Sequence, residues 1–208
     1  MNVYFIRHGE SVLNKERVHQ YDDTPLSGQG QEQARLLAER FANLDFDLLV
    51  TSTFTRARET AEIVNSKHNK KILEAPLFAE TKRPSEILGK KYDDPEARTI
   101  YEDYVLANRN KPDWRYSDEE SFADLKLRAR NALQFLIDHE AERIVVVTHG
   151  DILKLFLAFM QHGDDLTAEL YHRFRHFAPT KNTGITICHH NDTKGWFLIS
   201  FNDHAHLE

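Results

Sequence analysis

Short runs of consecutive apolar residues alternate along this chain with longer segments of helical periodicity. Three of the runs, at residues 3–6, 47–51 and 143–148, lack the apolar/polar alternation of a strand that has one wet face. Such runs are typical of parallel strands that helices cover on both faces. Their alternation with helices therefore favours a layered α/β fold.

Apolar residues recur at helical spacing in three segments, which we interpret as core-facing helices at residues 34–41, 122–136 and 152–159. Ser117, followed three residues later by Glu120, predicts a capping box at the start of the second helix. Residues 184–189 and 196–201 are β-rich and predict two late strands paired as a hairpin.

Composition limits the class of protein. The 208 residues are typical of a single domain, 1–208, with room for one insertion. A net charge of −6 argues against a general nucleic-acid binder, and no apolar stretch reaches the length of a membrane span. Because the chain has one cysteine, Cys188, and no signal-peptide layout, we expect a cytoplasmic protein. Twelve histidines predict a steep change of charge near pH 6.

Polar residues follow each of the three buried strands. Arg7 and His8 follow the first, Ser52 and then Arg56 follow the second, and His149 follows the third. If the strands are parallel neighbours, these side chains meet at the carboxyl edge of the sheet, where ligands bind in open α/β sheets. Each cluster alone is weak support for a function, but their joint placement predicts one site.

Two arginines beside two histidines suggest a site for a phosphate dianion. Guanidinium groups hold phosphate oxygens through paired, charge-assisted hydrogen bonds. A neutral imidazole can attack phosphorus and carry the phosphoryl group, and a carboxylate of raised pKa can protonate the departing oxygen.

Several motifs together resemble the histidine phosphatase superfamily, in its phosphoglycerate-mutase-like branch. They are 7–14 (RHGESVLN), 23–27 (DTPLS), 52–61 (STFTRARETA), Glu80, 120–121 (ES) and 147–150 (VTHG). The resemblance spans nearly the whole chain. It implies a three-layer α/β/α sandwich with a mostly parallel central sheet and a small helical cap insertion, which we place at about 81–115.

The resemblance also implies a role for each matching residue. His8 would be the nucleophile, while Arg7, Arg56 and His149 hold the phosphoryl group, with Asn14 as a further contact. Glu80 would donate the proton to the leaving group, and Glu86 is its rival. The resemblance implies no metal ion and no cofactor, because the arginines supply the positive charge.

Three functions remain open on these residues. The first is hydrolysis of a phosphate monoester, and the second is a phosphoglycerate-type mutase. Mutases of this family usually follow the glutamate with an arginine, histidine, tyrosine and glycine run, whereas residues 81–84 are TKRP here, which favours the phosphatase. A non-catalytic phospho-ligand-binding protein is the third, and it is disfavoured because His8 is present.

Two further groups of basic residues could bind a ligand. Lys82 and Arg83, with Lys90 and Lys91, either read a second acidic group on the substrate or form a solvated surface. His172 and His176 have the spacing of zinc ligands, but neighbouring arginines favour a solvated helix face and no metal site. The expected partner is a small phosphorylated metabolite, with no nucleic acid and no membrane, and a homodimer is left open.

Overall fold

A six-stranded sheet forms the centre of the computed structural model, which describes residues 1–108 and 110–208. The strands are β1 (Asn2–Arg7), β2 (Leu48–Thr51), β3 (Ile72–Glu74), β4 (Arg143–Thr148), β5 (Ile185–Asn191) and β6 (Gly195–Asp203). Their order is β3-β2-β4-β1-β5-β6. The first four in this order are parallel, and β5 and β6 add an antiparallel hairpin. The predicted strands and the hairpin are confirmed.

Helices cover both faces of this sheet. They are α1 (Val12–Glu16), α2 (Gly28–Phe41), α3 (Thr55–Asn65), α4 (Pro95–Arg98), α5 (Phe122–Asp138), α6 (Gly150–His162) and α7 (Ala168–Phe177). Residues of α2 and α3 pack on one face, with Val145 and Val147 of β4. Residues of α5, α6 and α7 pack on the other face, with Ile144 and Val146 of the same strand. Because both faces of β4 are buried, successive residues of this strand all lie in a core. Its run of apolar residues without polar alternation follows from this. The three-layer α/β/α fold is confirmed.

The predicted start of α5 is wrong by one helical turn. Its N-cap is Ser121, whose hydroxyl accepts the Asp124 N–H, while the Asp124 carboxylate accepts the Ser121 N–H. The backbone N–H of Ser117 instead donates to the carboxylate of Glu119. Both serines have an acidic residue three positions later, but the apolar face begins at Phe122. The helix starts there because packing of the apolar face supplies most of its stability.

The chain between β3 and α5 contains short helical elements. They are two 3₁₀ turns (Pro76–Phe78 and Ser85–Ile87), α4, and a π-helical segment (Thr99–Leu106) that follows α4 directly. Ile87, Ala97 and Ile100 form a small apolar cluster of their own. The described part of this chain includes most of residues 81–115, and its Arg83, Leu88 and Ala97 line one cavity with Arg7, at the carboxyl end of β1.

No helix in the part of the chain that the structure describes is both long and apolar enough to span a membrane.

Candidate active site

The carboxyl ends of β1, β2 and β4 bring the predicted polar clusters together. Arg7 lies in register with Thr148, and Thr51 lies in register with Val147, so the residues that follow these strands meet. The rings of His8 and His149 lie 5.0 Å apart between centroids. The predicted convergence is therefore what the structure shows.

His8 is buried, and its hydrogen bonds define its tautomer. Its Nδ1 lies 2.6 Å from the carbonyl oxygen of Gly9, which can only accept, so Nδ1 carries the proton. Nε2 is then the unprotonated nitrogen, and it accepts a hydrogen bond of 3.3 Å from Nε of Arg56. Burial, together with the positive charges of Arg56 and Arg7, holds the pKa of His8 well below its ordinary value. The ring is therefore neutral at physiological pH, and the lone pair of Nε2 faces the guanidinium of Arg56.

Arg56, in the first turn of α3, is held in place by three contacts. Besides the contact with His8, its Nη1 donates to the carbonyl oxygen of Tyr21 at 2.9 Å. Its guanidinium lies over the ring of Phe54, 5.0 Å from the centroid. Burial lowers its pKa to about 10, opposed by the charge of Glu80, so it remains a cation.

Arg7 and His149 each present a buried nitrogen that has no hydrogen-bond partner among the described residues. These atoms are Nε of Arg7 and Nδ1 of His149. Arg7 is anchored through Nη1, which donates to the Thr180 carbonyl at 2.6 Å, and His149 through Nε2, 2.7 Å from Oγ of Ser52. Buried polar atoms without a partner are uncommon and call for an explanation, which an anion bound beside them would supply.

Glu80 lies at the amino end of α6, where its carboxylate accepts three backbone N–H groups. The donors are Thr81 at 2.9 Å, Asp151 at 3.1 Å and Ile152 at 2.9 Å. Glu80 also lines the cavity that contains Arg7 and His8. Its rival Glu86 accepts a hydrogen bond from the hydroxyl of Ser117 and does not line this cavity.

The other predicted contacts lie around the same cavity of about 980 Å³. Asn14 lines it from α1, where it also completes a capping box with Ser11. Lys82 lines its outer part and forms an ion pair with Asp118, and its side chain is 57% exposed. Arg83 is more buried and pairs with Asp151 at 2.8 Å. Lys90 and Lys91 do not line the cavity.

Several residues at the site were missed by the sequence analysis. Asp151, Lys154 and Arg175 line the cavity beside Arg83. Asn182 donates from its side-chain amide to the backbone carbonyl of His8 at 2.9 Å. The only signal for Asp151 was its position after His149 and Gly150, whereas Asn182 and Arg175 lie far along the chain in segments without a motif.

His172 and His176 lie on α7 with their rings 4.5 Å apart, and His176 is exposed. Within the described ranges, no group of three or more histidine, cysteine, aspartate or glutamate side chains is arranged to hold a metal ion. Independence from metals remains a prediction.

Comparison with protein families places this geometry in a known group. The model of the histidine phosphatase superfamily (branch 1) matches residues 3–204. The chain belongs to the histidine phosphatase superfamily. The predicted resemblance is therefore confirmed over nearly the whole sequence.

Relatives of this chain are named both as phosphatases and as phosphoglycerate mutases, the two activities between which the sequence does not decide. A probable phosphatase of Schizosaccharomyces pombe is 27% identical over 100% of this chain and 96% of its own. A probable phosphoglycerate mutase of Yersinia enterocolitica is also 27% identical, over 100% of this chain and 95% of its own. These relatives indicate a phosphatase or a mutase.

Solved structures of other proteins share this fold. Phosphoserine phosphatase of Entamoeba histolytica, in complex with phosphoserine, superposes with a TM-score of 0.80 at 24% identity. The match covers 100% of this chain and 99% of the other. At this identity the likeness describes the fold alone.

Proposed function

We propose that this protein is a metal-independent phosphatase that hydrolyses a small phosphate monoester through a phosphohistidine on His8. The observation that carries the proposal is the lone pair on Nε2 of a buried, neutral His8, placed against the guanidinium of Arg56. Nucleophilic catalysis by histidine requires this unprotonated nitrogen beside the charge that holds the phosphate.

In the first step, Nε2 of His8 attacks phosphorus, and the bond between phosphorus and the ester oxygen breaks. The negative charge on the equatorial oxygens is held by Arg7, Arg56 and the unpaired Nδ1 group of His149. Nδ1 of His149 is a donor in the tautomer whose Nε2 accepts a hydrogen bond from the Ser52 hydroxyl. Glu80, in its protonated form, gives its proton to the departing alkoxide. Preorganised charge of this kind supplies most of the catalysis of phosphoryl transfer.

In the second step, water takes the place of the alcohol. Glu80, now ionised, accepts a proton from the water as its oxygen attacks phosphorus. The bond between phosphorus and Nε2 breaks, inorganic phosphate leaves, and His8 returns to its neutral form. Atoms and charges balance with no other reactant than water.

The phosphatase is favoured over the mutase by the residues that follow Glu80. A mutase must exclude water from its phosphoenzyme and bind a carboxylate beside the phosphate. Residues 81–84 (TKRP) do not have the run that the family's mutases usually carry there. The mutase remains the second candidate, because a relative that is 27% identical is named a probable phosphoglycerate mutase.

One incubation separates the two functions. The protein is supplied with glycerate 3-phosphate, with and without a bisphosphorylated primer, and both inorganic phosphate and the 2-phosphate isomer are measured. A phosphatase releases phosphate and forms no isomer. Formation of the isomer faster than phosphate would overturn the proposal in favour of the mutase.

We also propose that residues 81–115 act as a cap over the substrate. Support comes from Arg83, Leu88, Ala97 and Tyr101, which come from this segment and line the cavity. A cytoplasmic location, a metabolite as the only partner and a homodimer that is left open remain predictions from the sequence.

A further inference from the structure

A cluster of four charged side chains borders the phosphate site and takes no part in the proposed chemistry. The Asp151 carboxylate accepts from three cations: Nη2 of Arg83 at 2.8 Å, Nε of Arg175 at 3.1 Å and Nζ of Lys154 at 3.5 Å. These residues come from the chain after Glu80, from α7 and from α6. Three separate elements therefore direct a positive group to one carboxylate.

The cluster carries more positive than negative charge. One carboxylate, Asp151, faces three cations, which leaves an excess of two positive charges. Burial opposes ionisation, but Arg175 and Arg83 hold the pKa of Asp151 well below its usual range, so it is already ionised. The neighbouring Glu80 is engaged by the backbone N–H groups of α6.

These cations are removed from bulk water. The exposed fractions of the side chains are 25% for Arg83, 19% for Arg175 and 12% for Lys154. Removing a charge from water is costly unless an opposite charge compensates it. An excess of two partly buried cations is the arrangement that a bound anion would stabilise.

The geometry of the two guanidinium groups is fixed. Both lie against the ring of Tyr101, with the carbon of Arg83 5.1 Å and that of Arg175 5.5 Å from its centroid. Arg175 also donates to the hydroxyl of Tyr101. A preorganised pair loses little entropy when it binds a planar anion.

The cluster and the phosphate site open into one cavity. Arg83, Asp151, Lys154 and Arg175 line the same space as Arg7 and His8. Asp151 is separated from His149 by a single residue, Gly150, and a Cβ atom at Gly150 would lie 3.5 Å from Nε of Arg7. A ligand that reaches both places is therefore short.

We propose that Arg175 and Lys154, with Arg83, form a second anion subsite, so that the substrate is a compact phosphate monoester bearing a further carboxylate or phosphate group. This inference rests on the proposed phosphatase function and names its substrate class. The sequence predicts that Lys82 and Arg83 read a second acidic group. In this proposal the partly buried cluster replaces Lys82 in that role, because Lys82 is exposed and paired with Asp118.

Two esters that differ in one group test the subsite. Glycerate 3-phosphate ends in a carboxylate, and glycerol 3-phosphate ends in a hydroxymethyl group. We expect the parent protein to favour the carboxylate ester in kcat/KM by about tenfold or more, as for charge-assisted hydrogen bonds. Arg175→Gln should reduce that ratio to about twofold or less, mainly through KM, because a uniform binding contact is lost.

The controls keep the charge change constant. Arg173→Gln removes a cation from the same helix at an exposed position, and it should leave the ratio unchanged. Lys154→Gln repeats the test from α6 in case Arg175→Gln does not fold. Turnover of p-nitrophenyl phosphate, which has no second anion, should be the same in Arg173→Gln as in the parent.

The failure of the subsite can be distinguished from the failure of the phosphatase function. Binding of the two esters is measured by calorimetry with His8→Ala protein, alone and combined with Arg175→Gln or with Lys154→Gln, and needs no turnover. Equal affinities for the two esters, or a preference that survives both cluster variants, would overturn the subsite even if phosphate is released. Preferential binding that depends on Arg175, without hydrolysis by the parent, would uphold the subsite and reject the phosphatase.

Discussion

His8 acquires its chemical role from the residues that surround it. A histidine in water has a pKa near the ordinary value of about 6.5 and is partly protonated at neutral pH. At position 8, burial and two arginines remove that proton, and the Gly9 carbonyl determines which nitrogen keeps the other. The sequence identifies the residue, whereas its protonation and tautomer follow only from the packed site.

Glu80 combines two functions that one variant can separate. Glu80→Gln keeps an oxygen that caps α6 but removes the acidic proton. We expect kcat to fall by about 10²–10⁴ for an alkyl phosphate, whose leaving group needs that proton, as is typical of general acid catalysis. For p-nitrophenyl phosphate, whose leaving group is already a weak base, the fall should be much smaller.

Glu86→Gln is the matched control for that experiment. Glu86 lies on the same segment, outside the cavity, and should be dispensable for both esters. A loss with Glu86→Gln, and none with Glu80→Gln, would assign the proton donor to the rival residue.

At the scale of elements, the loop before β5 supports the nucleophile. Thr183, which adopts a left-handed conformation with φ of 57°, donates its N–H to the Arg7 carbonyl at 2.8 Å. Asn182 donates to the carbonyl of His8, and the Thr180 carbonyl holds the guanidinium of Arg7. Strained, fully buried backbone of this kind is often kept where a site needs fixed positions.

Asn182→Ala tests whether this loop positions the nucleophile. Loss of one neutral hydrogen bond, worth about 1 kcal/mol, should lower kcat by about fivefold to tenfold and change KM less. Asn182 does not line the cavity, so its effect should act through His8. Asn131→Ala, at an exposed position on α5, should change neither constant. An unchanged kcat with lowered thermal stability would mean that the loop is only structural.

The elements differ in how well the sequence predicts them. Long apolar runs identified β1, β2 and β4, because a strand buried on both faces leaves a strong signal. The three-residue β3 (Ile72–Glu74) leaves almost none, since it is short and partly exposed. The start of α5 was misplaced because Ser117 and Ser121 have the same local pattern, and tertiary burial decided between them.

The sequence also predicts some residues of the candidate site and not others. His8, Arg7, Arg56 and His149 could be predicted because they follow strands whose ends must meet. Arg175 could not, because within α7 it has the appearance of a solvated helix residue. Its contact with Asp151, 24 positions earlier, depends on how α6 and α7 pack against each other.

For the whole molecule, the structure modifies the expected response to pH. Composition predicts that twelve histidines change the charge steeply near pH 6. The pKa lies below its ordinary value, mainly through burial, for His8, His19, His68, His149, His190 and His206. The folded protein should therefore gain charge less steeply than its composition suggests, which potentiometric titration would measure.

His19 provides the matching prediction for stability. Burial, with a contribution from Arg83, lowers its pKa to about 4. Unfolding restores the ordinary value of about 6.5, so the unfolded chain binds more protons between these pH values and stability falls as the pH falls. His19 should account for roughly 1–2 kcal/mol of the loss in unfolding free energy between pH 7 and pH 5.

Urea unfolding at both pH values checks this expectation. His19→Gln should lose less stability on acidification than the parent, whereas His139→Gln, at an exposed position at the end of α5, should lose as much as the parent. An identical loss in the parent and in His19→Gln would show that His19 does not contribute to acid sensitivity.

The most direct test of the mechanism is phosphate release from p-nitrophenyl phosphate in the presence of a chelator. It compares the parent with His8→Ala and with His176→Ala, which changes an exposed histidine. We expect turnover in the parent and in His176→Ala, and a loss of about 10³-fold or more in His8→Ala, as for removal of a covalent nucleophile. Equal turnover in the parent and in His8→Ala would contradict the phosphohistidine mechanism.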